Sequence, residues 1–463
     1  MPETRDTAQM QERTGRPPVI LPGHTYATVT DKIAAIVLTR STPLGWFMLF
    51  GLAAFLAALL MYAIAYLLMQ GVGIWGIQIP VAWGFAIINF VWWIGMGHAG
   101  TLISAILLLL KQTWRSSINR FAEAMTLFAV MCAGMFPLLH LGRPWLFYWL
   151  FPYPNTMTVW PNFRSPLVWD VFAVSTYFTI SLLFWFQAVV PDMATLRDRA
   201  TSRIAKAVYG MLAMGWRGSA RHWKRFEAAY LLLGALAAPL VLSVHTVVSF
   251  DFAVADMPGW HESIYPPYFV SGAIFSGFAI VLLLAIPIRK FYGLEDLVTL
   301  RHLDNCAKFM IATGLLVTYT YIAEAFFSWY GTDVYGAWWN WNRAHGPYRI
   351  VWYLDIIMVC VIPLALWFRR VRYSPMLLFL VSLDIVIGMW IERVMIVIIT
   401  LNSTHLPSSW GIYIPTRWDW LTLAGSIGFF AFCFLLFIRL VPMITIFEMR
   451  ELVHETTEEA TIR

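Results

Sequence analysis

Long apolar stretches recur along this chain, and short polar segments separate them. A membrane's hydrocarbon layer is roughly 30 Å thick, so a helix needs about 20 mainly apolar residues to cross it. Stretches of that length predict ten membrane-spanning helices. Their predicted ranges are 44–69, 81–110, 120–140, 166–190, 227–251, 266–288, 307–331, 348–368, 375–399 and 418–442. The pattern predicts an all-α integral membrane protein.

The order of the predicted helices suggests a division of the transmembrane domain, 44–442, into two bundles. Helices 2–5, at 81–251, form one four-helix unit, and helices 6–9, at 266–399, form a second unit of the same orientation. The first and tenth helices are then peripheral. The segment 1–43 precedes this domain, and a short charged tail, 443–463, follows it.

Lysine and arginine concentrate in alternate connections between the predicted helices. They are frequent before the first helix and in the 2–3, 4–5, 6–7 and 8–9 connections, and sparse in the others. Short loops rich in these residues stay in the cytoplasm, so both termini are predicted to be cytoplasmic. The net charge of +6 then follows from topology and calls for no nucleic-acid partner.

Composition excludes a soluble protein and gives no sign of a bound metal. Hydrophobic residues make up 60% of the chain and charged residues only 13%, more apolar surface than a soluble fold of this length can bury. Four cysteines are scattered singly, without the spacing of an iron–sulfur or zinc site. A bis-histidine haem would need two histidines at one depth, and only His140 and His245 fit, with His98 predicted to lie deeper without a partner. We therefore expect no haem or iron–sulfur cluster on this chain.

Several ionisable residues fall near the predicted external ends of helices 3, 4 and 5. Helices that follow one another are usually neighbours, so His140, Asp170 and either His245 or Asp251 are expected to meet just below the external surface, with Asp256 just beyond. An imidazole beside carboxylates can accept and pass on protons. The alternative is that each side chain caps a helix or contacts lipid headgroups.

Other ionisable residues are predicted to lie within the membrane, where a charge costs at least about 2.5–3.5 kcal/mol. Arg393, beside Glu392, either forms a structural salt bridge or stabilises an anionic ligand. The remainder could relay protons or pair with one another. Besides His245, the residues predicted for such a proton path are His98, Glu123, Glu324, Asp355 and Asp384.

Two predicted external loops are rich in aromatic residues and poor in charge. They read LFYWLFPYPNTMTVWPNF, at 146–163, and TDVYGAWWNWNRAHGPY, at 332–348. An interfacial aromatic belt explains part of this composition. Its density over whole loops also suggests a surface covered by another protein.

Three stretches give this chain a resemblance to a known family. WWIGMGHAGTLISAILLL on helix 2, FPLLHLGRPWLFYWLFPYPN after helix 3 and SPLVWD opening helix 4 resemble the polysulfide reductase/NrfD family of quinone-interacting membrane subunits. The resemblance is closest to the larger of the two such subunits in bacterial alternative complex III.

The resemblance implies a multi-pass subunit of the bacterial inner membrane that oxidises quinol, with menaquinone favoured, in its first bundle near the periplasmic face. His140 and Asp170 carry over as catalytic quinol-site residues, followed by Asp251, Asp256 and Arg393 as quinol-binding residues. Electrons would pass to an iron–sulfur subunit docked on the external loops and then to c-type cytochrome subunits.

The resemblance also implies a second NrfD-like membrane subunit and suggests a proton path through the bundles. Lipids are expected partners because the 4–5 connection alternates basic and apolar residues at roughly helical spacing, which is typical of a segment that lies on an acidic membrane surface. Alone, this chain would be inert. Two alternatives remain open: the membrane anchor of a molybdopterin oxidoreductase, or a proton-coupled secondary transporter.

Overall fold

The computed structural model describes residues 17–39, 42–150 and 164–462. Within them the chain is helical throughout and contains no strand. Nine helices of this described part are long and apolar enough to cross a membrane. An all-helical membrane protein is thus confirmed.

The helices are numbered in chain order, omitting short turns. They are α1 (Tyr26–Leu38), α2 (Leu44–Gln70), α3 (Phe85–Thr101), α4 (Asn119–His140), α5 (Pro166–Arg199), α6 (Arg203–Leu212), α7 (Ala220–Ala253), α8 (Tyr265–Phe291), α9 (Leu300–Tyr330), α10 (Val334–His345), α11 (Arg349–Asp355), α12 (Pro375–Val394), α13 (Arg417–Leu440) and α14 (Ile446–Ile462). Helix α3 continues to Leu109 and α11 to Trp367.

The predicted ninth span, 375–399, differs from the others. Its residues form α12 and a π-helical turn, Met395–Ile399, and this helix is not among the nine. It carries Asp384, Glu392 and Arg393. The count of ten spans and the orientation of the termini therefore stay predictions.

Besides α1, three helices form where the sequence pattern predicted no membrane span. Asp333 caps α10 by accepting hydrogen bonds from the backbone N–H groups of Tyr335 and Gly336, at 3.0 and 2.9 Å, so the second aromatic loop is largely helical. The basic 4–5 connection contains α6, which is mostly exposed. The C-terminal tail forms α14. These helices carry too many polar residues to resemble a span.

Helix packing brings the two halves of the chain together along α3 and α8. Helix α3 packs against α4 and α8, α5 against α7, and α8 also contacts α7, α9 and α12. Helices α2 and α13 pack against each other, and α13 also contacts α4. Helix α3 is buried along its whole length. Polar groups on α3 are therefore shielded from lipid on every side.

The two ends of the bundle differ in composition. The basic face holds the connections around residues 110–118, 200–219 and 368–374, which are rich in lysine and arginine, and the connection 292–299, which is flanked by Arg289, Lys290 and Arg301. The face at the other end of the bundle, called the opposite face from here on, holds the connections around 254–264, 331–348 and 403–416. Most of the first aromatic loop, 151–163, lies outside the described residues, as does the N-terminal stretch 1–16.

Close contact between α3 and α4 depends on Gly100. A Cβ at this position would overlap the backbone of Ala122 and the hydroxyl of Thr126. The helices could accommodate it only by moving apart. By contrast, a Cβ at Gly134, further along α4, would meet nothing within 4 Å.

We predict that Gly100→Ala lowers the free energy of unfolding by about 1–3 kcal/mol, since overpacking forces backbone shifts. Gly134→Ala serves as the control and should leave stability unchanged or raise it by up to about 1 kcal/mol, because alanine favours helix. Unfolding of the purified protein by increasing denaturing detergent measures both. Equal stability of the two variants would contradict tight α3–α4 packing.

Candidate functional site

A carboxylate pair lies near the opposite face, where α5 begins and α7 ends. The side chains of Asp170 and Asp251 are in hydrogen-bond contact. Because ionised carboxylates only accept hydrogen bonds, such a contact requires a proton between them. One oxygen of each side chain has no hydrogen-bond partner within the described residues. The pair can therefore exchange protons with a ligand.

His140 lies at the same end of the bundle, as the last residue of α4, which packs against α5. Its Nδ1 is buried and has no hydrogen-bond partner in the described part of the chain. Asp256, in contrast, is exposed in the connection after α7. The structure thus joins Asp170 to Asp251, places His140 at their level and leaves Asp256 at the surface.

Aromatic and aliphatic side chains border the carboxylate pair. Trp169 and Phe250, the residues next to Asp170 and Asp251, meet edge to face with ring centroids 6.4 Å apart. Leu167 and Phe172 are 44% and 45% exposed on the same part of α5. A hydrophobic molecule could therefore approach the pair from the lipid phase.

A pair of buried histidines lies deeper, between α3 and α7. The rings of His98 and His245 are 4.7 Å apart, centre to centre, and both side chains are completely buried. The Nδ1 of His98 contacts the carbonyl of Ile94 at 2.7 Å, while its Nε2 and both nitrogens of His245 have no partner among the described residues. The expectation that His98 has no histidine at its depth is therefore wrong.

The error comes from counting residues along straight helices. Gly95, one turn before His98, faces the ring of His245. A Cβ at Gly95 would lie 3.5 Å from Cε1 of His245. A histidine ring thus occupies the space beside Gly95.

Tyrosine and threonine hydroxyls continue this polar region towards the basic face. The ring of Tyr177 stacks on His98 at 5.5 Å, and its hydroxyl contacts that of Thr101 at 2.8 Å. Thr126 on α4 donates to the carbonyl of Gly97 at 2.5 Å. Glu123 lies one turn before Thr126, and neither of its carboxylate oxygens has a hydrogen-bond partner within the described residues.

A cluster of charged side chains closes the basic face. Arg120 pairs with Asp192 at 3.2 Å and lies 4.0 Å from Glu123. Arg115 pairs with Glu448 of α14 at 2.9 Å. The Glu448 carboxylate also accepts hydrogen bonds from Asn119 and Tyr230, at 2.6 and 3.2 Å. The C-terminal helix therefore inserts a buried carboxylate into the bundle.

A second charged cluster lies beyond the histidine pair, towards the opposite face. Arg393 pairs with Glu392 at 2.8 Å and lies over the ring of Phe269, 4.6 Å from its centre. Phe269 in turn contacts His245, with ring centroids 5.5 Å apart. Arg393 is thus linked to the histidine pair. His245 itself lies six residues, or about 9 Å along a helix, from Asp251.

Two tyrosines join this cluster to Asp355. Tyr321 donates to Asp355 at 2.6 Å and is 3.4 Å from Glu392. Tyr268 makes a short hydrogen bond to the Glu392 carboxylate. Asp355 immediately precedes a π-helical segment, Ile356–Val361, and π-helical turns are frequent at functional sites.

Glu324 pairs with Arg343 rather than with Arg393. The distance is 3.0 Å, and Arg343 lies between the rings of Trp339 and Trp352, 3.9 and 4.4 Å from their centres. Nearby, in the connection before α8, burial raises the pKa of Glu262 to about 7, with the charge of Glu324 adding to the rise and Arg343 opposing it. This end of the cluster is near the opposite face.

Asp384 differs from the other predicted proton-path residues. It is half-buried on α12, and no hydrogen bond or ion pair within the described residues involves it. The structure therefore connects His98, His245, Glu324, Asp355 and Glu123 to polar neighbours but leaves Asp384 apart.

Several participants were not predicted from the sequence. The tyrosines Tyr177, Tyr268 and Tyr321 look like ordinary membrane aromatics, although Tyr321 lies three residues before Glu324 and so on the same helical face. Arg343 was assigned to an external loop, and Glu448 to a free tail. Their burial depends on contacts with helices distant in sequence.

Comparison with known proteins decides the family. Residues 76–404, well over half of the chain, match the family model described as "Polysulphide reductase, NrfD". The chain belongs to the NrfD family. The resemblance seen in the three sequence stretches is thereby confirmed at the level of the family.

Two relatives illustrate the family. The chain is 24% identical over 248 residues to a protein of Halobacterium salinarum named as a putative dimethyl sulfoxide reductase membrane subunit, covering 53% of this chain and 52% of that protein. It is 24% identical over 409 residues to a selenate reductase subunit of Mesobacillus selenatarsenatis, covering 82% of this chain and 89% of that protein. The first match thus spans about half of its relative, and neither is named as part of alternative complex III.

We predict that Glu392→Ala lowers the free energy of unfolding by about 3–5 kcal/mol, because Arg393, only 3% exposed, would lose its carboxylate. Asp384→Ala on the same helix is the control and should cost about 1 kcal/mol or less. Denaturing-detergent titration of both variants measures the difference. A loss of similar size in both would show that the Glu392 contacts contribute no more than an average position.

Proposed function

We propose that this chain is the quinone-interacting membrane subunit of an oxidoreductase complex. We propose further that quinol is oxidised near the opposite face of the bundle, the one away from the basic face. The Asp170–Asp251 pair is the observation that carries this proposal. It offers carboxylate oxygens that lack partners within the described residues, beside an apolar border, at the level of His140. A quinol presents two hydroxyl groups on a flat apolar ring, and these residues suit both parts.

Quinol oxidation releases two electrons and two protons, and the side chains described can take the protons. His140 would accept one through its free Nδ1, and the Asp170–Asp251 pair would accept or relay the other. The electrons must pass to a redox centre on a partner. We expect an iron–sulfur subunit to bind on the opposite face, against the aromatic connections. We also expect the isolated chain to be inert.

The relatives favour a terminal reductase as the wider complex. Both are named as subunits of reductases, which supports the reading as membrane anchor of a molybdopterin oxidoreductase in a bacterial plasma membrane. A transporter receives no support from these relatives. Menaquinone stays the expected quinone.

Alternative complex III remains a second candidate because of one observation. An anchor needs a quinone site on one face only, yet polar side chains extend from Glu262 and Glu324 through the histidine pair to Glu123 and Glu448 at the basic face. We refer to these residues and their partners as the polar row. A row of this length suggests proton movement across the membrane in addition to electron transfer.

The charged clusters at the two ends of the polar row each have three carboxylates and only two guanidinium groups. At the basic face, Glu123, Asp192 and Glu448 face two guanidinium groups, Arg115 and Arg120. At the other end, Glu324, Asp355 and Glu392 face Arg343 and Arg393. A buried carboxylate without a cation is costly, so each cluster favours holding a proton. We propose that both clusters serve the proton path.

We predict that His140→Ala lowers the rate of quinol oxidation by the purified complex by about 100-fold or more, the scale of losing a positioned acid–base group. His261→Ala, which alters an exposed histidine in the connection after α7, is the control and should retain the parental rate. Both complexes must first be shown to keep all subunits. Near-parental activity of His140→Ala would reject His140 as a proton acceptor.

For the polar row, we predict that Glu123→Gln preserves electron transfer but lowers the number of protons moved per electron to what quinol oxidation itself releases. Glutamine matches the shape of glutamate but cannot carry the proton. Asp384→Asn, which lies apart from the row, should keep the parental ratio. Proteoliposomes containing the complex and a pH-sensitive dye give the ratio. If Glu123→Gln leaves the ratio unchanged, the row is structural.

A further inference from the structure

A cavity of about 330 Å³ opens at the basic face, far from the carboxylate pair. It lies where α3 ends, where α9 begins and beside Tyr373, in the connection between α11 and α12. Because these elements all reach the basic face, the cavity lies at the level expected for lipid headgroups. None of its lining residues belongs to the polar row.

The wall of this cavity has an apolar and a polar side. Leu107, Leu110 and Phe309 provide aliphatic and aromatic surface, and Leu110 is 61% exposed. The polar side consists of Arg301, Asp304, Asn305, Lys308 and Gln112. A ligand that suits both sides must itself be amphipathic.

The polar side is positively charged. Asp304 is 2.5 Å from Lys308 and 2.7 Å from Arg372, so a single carboxylate is shared by two cations. Arg301 forms no ion pair with any residue of the described ranges. The lining therefore has two cations, Arg301 and Lys308, and one carboxylate, which Arg372 outside the lining also engages; an anionic group in the cavity would balance the excess positive charge.

We propose that this cavity binds one anionic phospholipid. Its phosphate lies between Arg301 and Lys308, with Asn305 and Gln112 as further donors, and an acyl chain follows Leu107, Leu110 and Phe309. Basic pockets between membrane helices on the cytoplasmic side suit such headgroups. A free phosphate would leave the apolar wall uncovered, and a zwitterionic lipid would bring a second positive charge towards two cations.

Native mass spectrometry of the purified complex tests this proposal. After detergent washing, the complex is titrated with phosphatidylglycerol, with phosphatidylcholine of the same acyl chains, or with inorganic phosphate. We expect one phosphatidylglycerol to be retained per copy of this chain. We expect Arg301→Gln/Lys308→Gln to weaken its binding about 30-fold, since each basic residue near a membrane surface contributes about a fivefold factor.

The matched control is Arg203→Gln/Lys206→Gln, which removes one arginine and one lysine from the exposed α6 on the same face. It should bind phosphatidylglycerol like the parental complex. Because Lys308 also pairs with Asp304, the single variant Arg301→Gln is tested as well and should weaken binding about fivefold even if the double variant fails to assemble.

Three results would overturn the proposal. Equal retention of phosphatidylcholine would mean that charge does not select the ligand. Displacement by inorganic phosphate would mean that the apolar wall contributes nothing. Equal losses in the cavity and control variants would mean that the lipid is held by general surface charge. None of these results bears on quinol oxidation, which the same variants should retain.

Discussion

The cost of placing charge in a low-dielectric interior governs this structure. A charged side chain within the membrane is stable only with a partner or as its neutral form. The arginines inside the bundle obey this rule: Arg120, Arg343 and Arg393 each pair with a carboxylate. Tyr268 adds a hydrogen bond to Glu392, and Tyr321 donates to Asp355, which forms no ion pair within the described residues. The helices are therefore held in register by polar contacts as well as by apolar packing.

This constraint also explains where chemistry can take place. Several buried ionisable groups keep atoms without a hydrogen-bond partner within the described residues, among them His140, the Asp170–Asp251 pair, the two histidines and Glu123. The first two are next to surface that faces the lipid phase, where quinones dissolve. The others lie inside the bundle, out of reach of such a ligand. These positions are the basis for proposing that the first two take part in ligand chemistry and the others in proton movement.

Sequence alone predicted the all-helical membrane fold, the nine long apolar helices of the described residues and several residues near helix ends. Apolar length predicts spans because the bilayer fixes it, and the depth of His140, Asp170 and Asp251 follows from counting residues from an interface. Sequence alone did not predict the contacts between helices. The approach of His98 to His245 depends on how α7 is rotated and placed against α3, which no periodicity records. Arg343 and Glu448 were missed because polar surface segments, α10 and α14, fold back onto the bundle.

Labelling with a photoreactive quinone tests the location of the quinone site most directly. The purified complex is cross-linked, and the modified residues of this chain are identified by mass spectrometry. We expect the label at the end of α4 and the beginning of α5, around His140 and Asp170, and its loss when excess natural quinone is present. Competable labelling confined to the surroundings of Arg393 or to the cavity beside Arg301 would contradict a quinol site at the carboxylate pair.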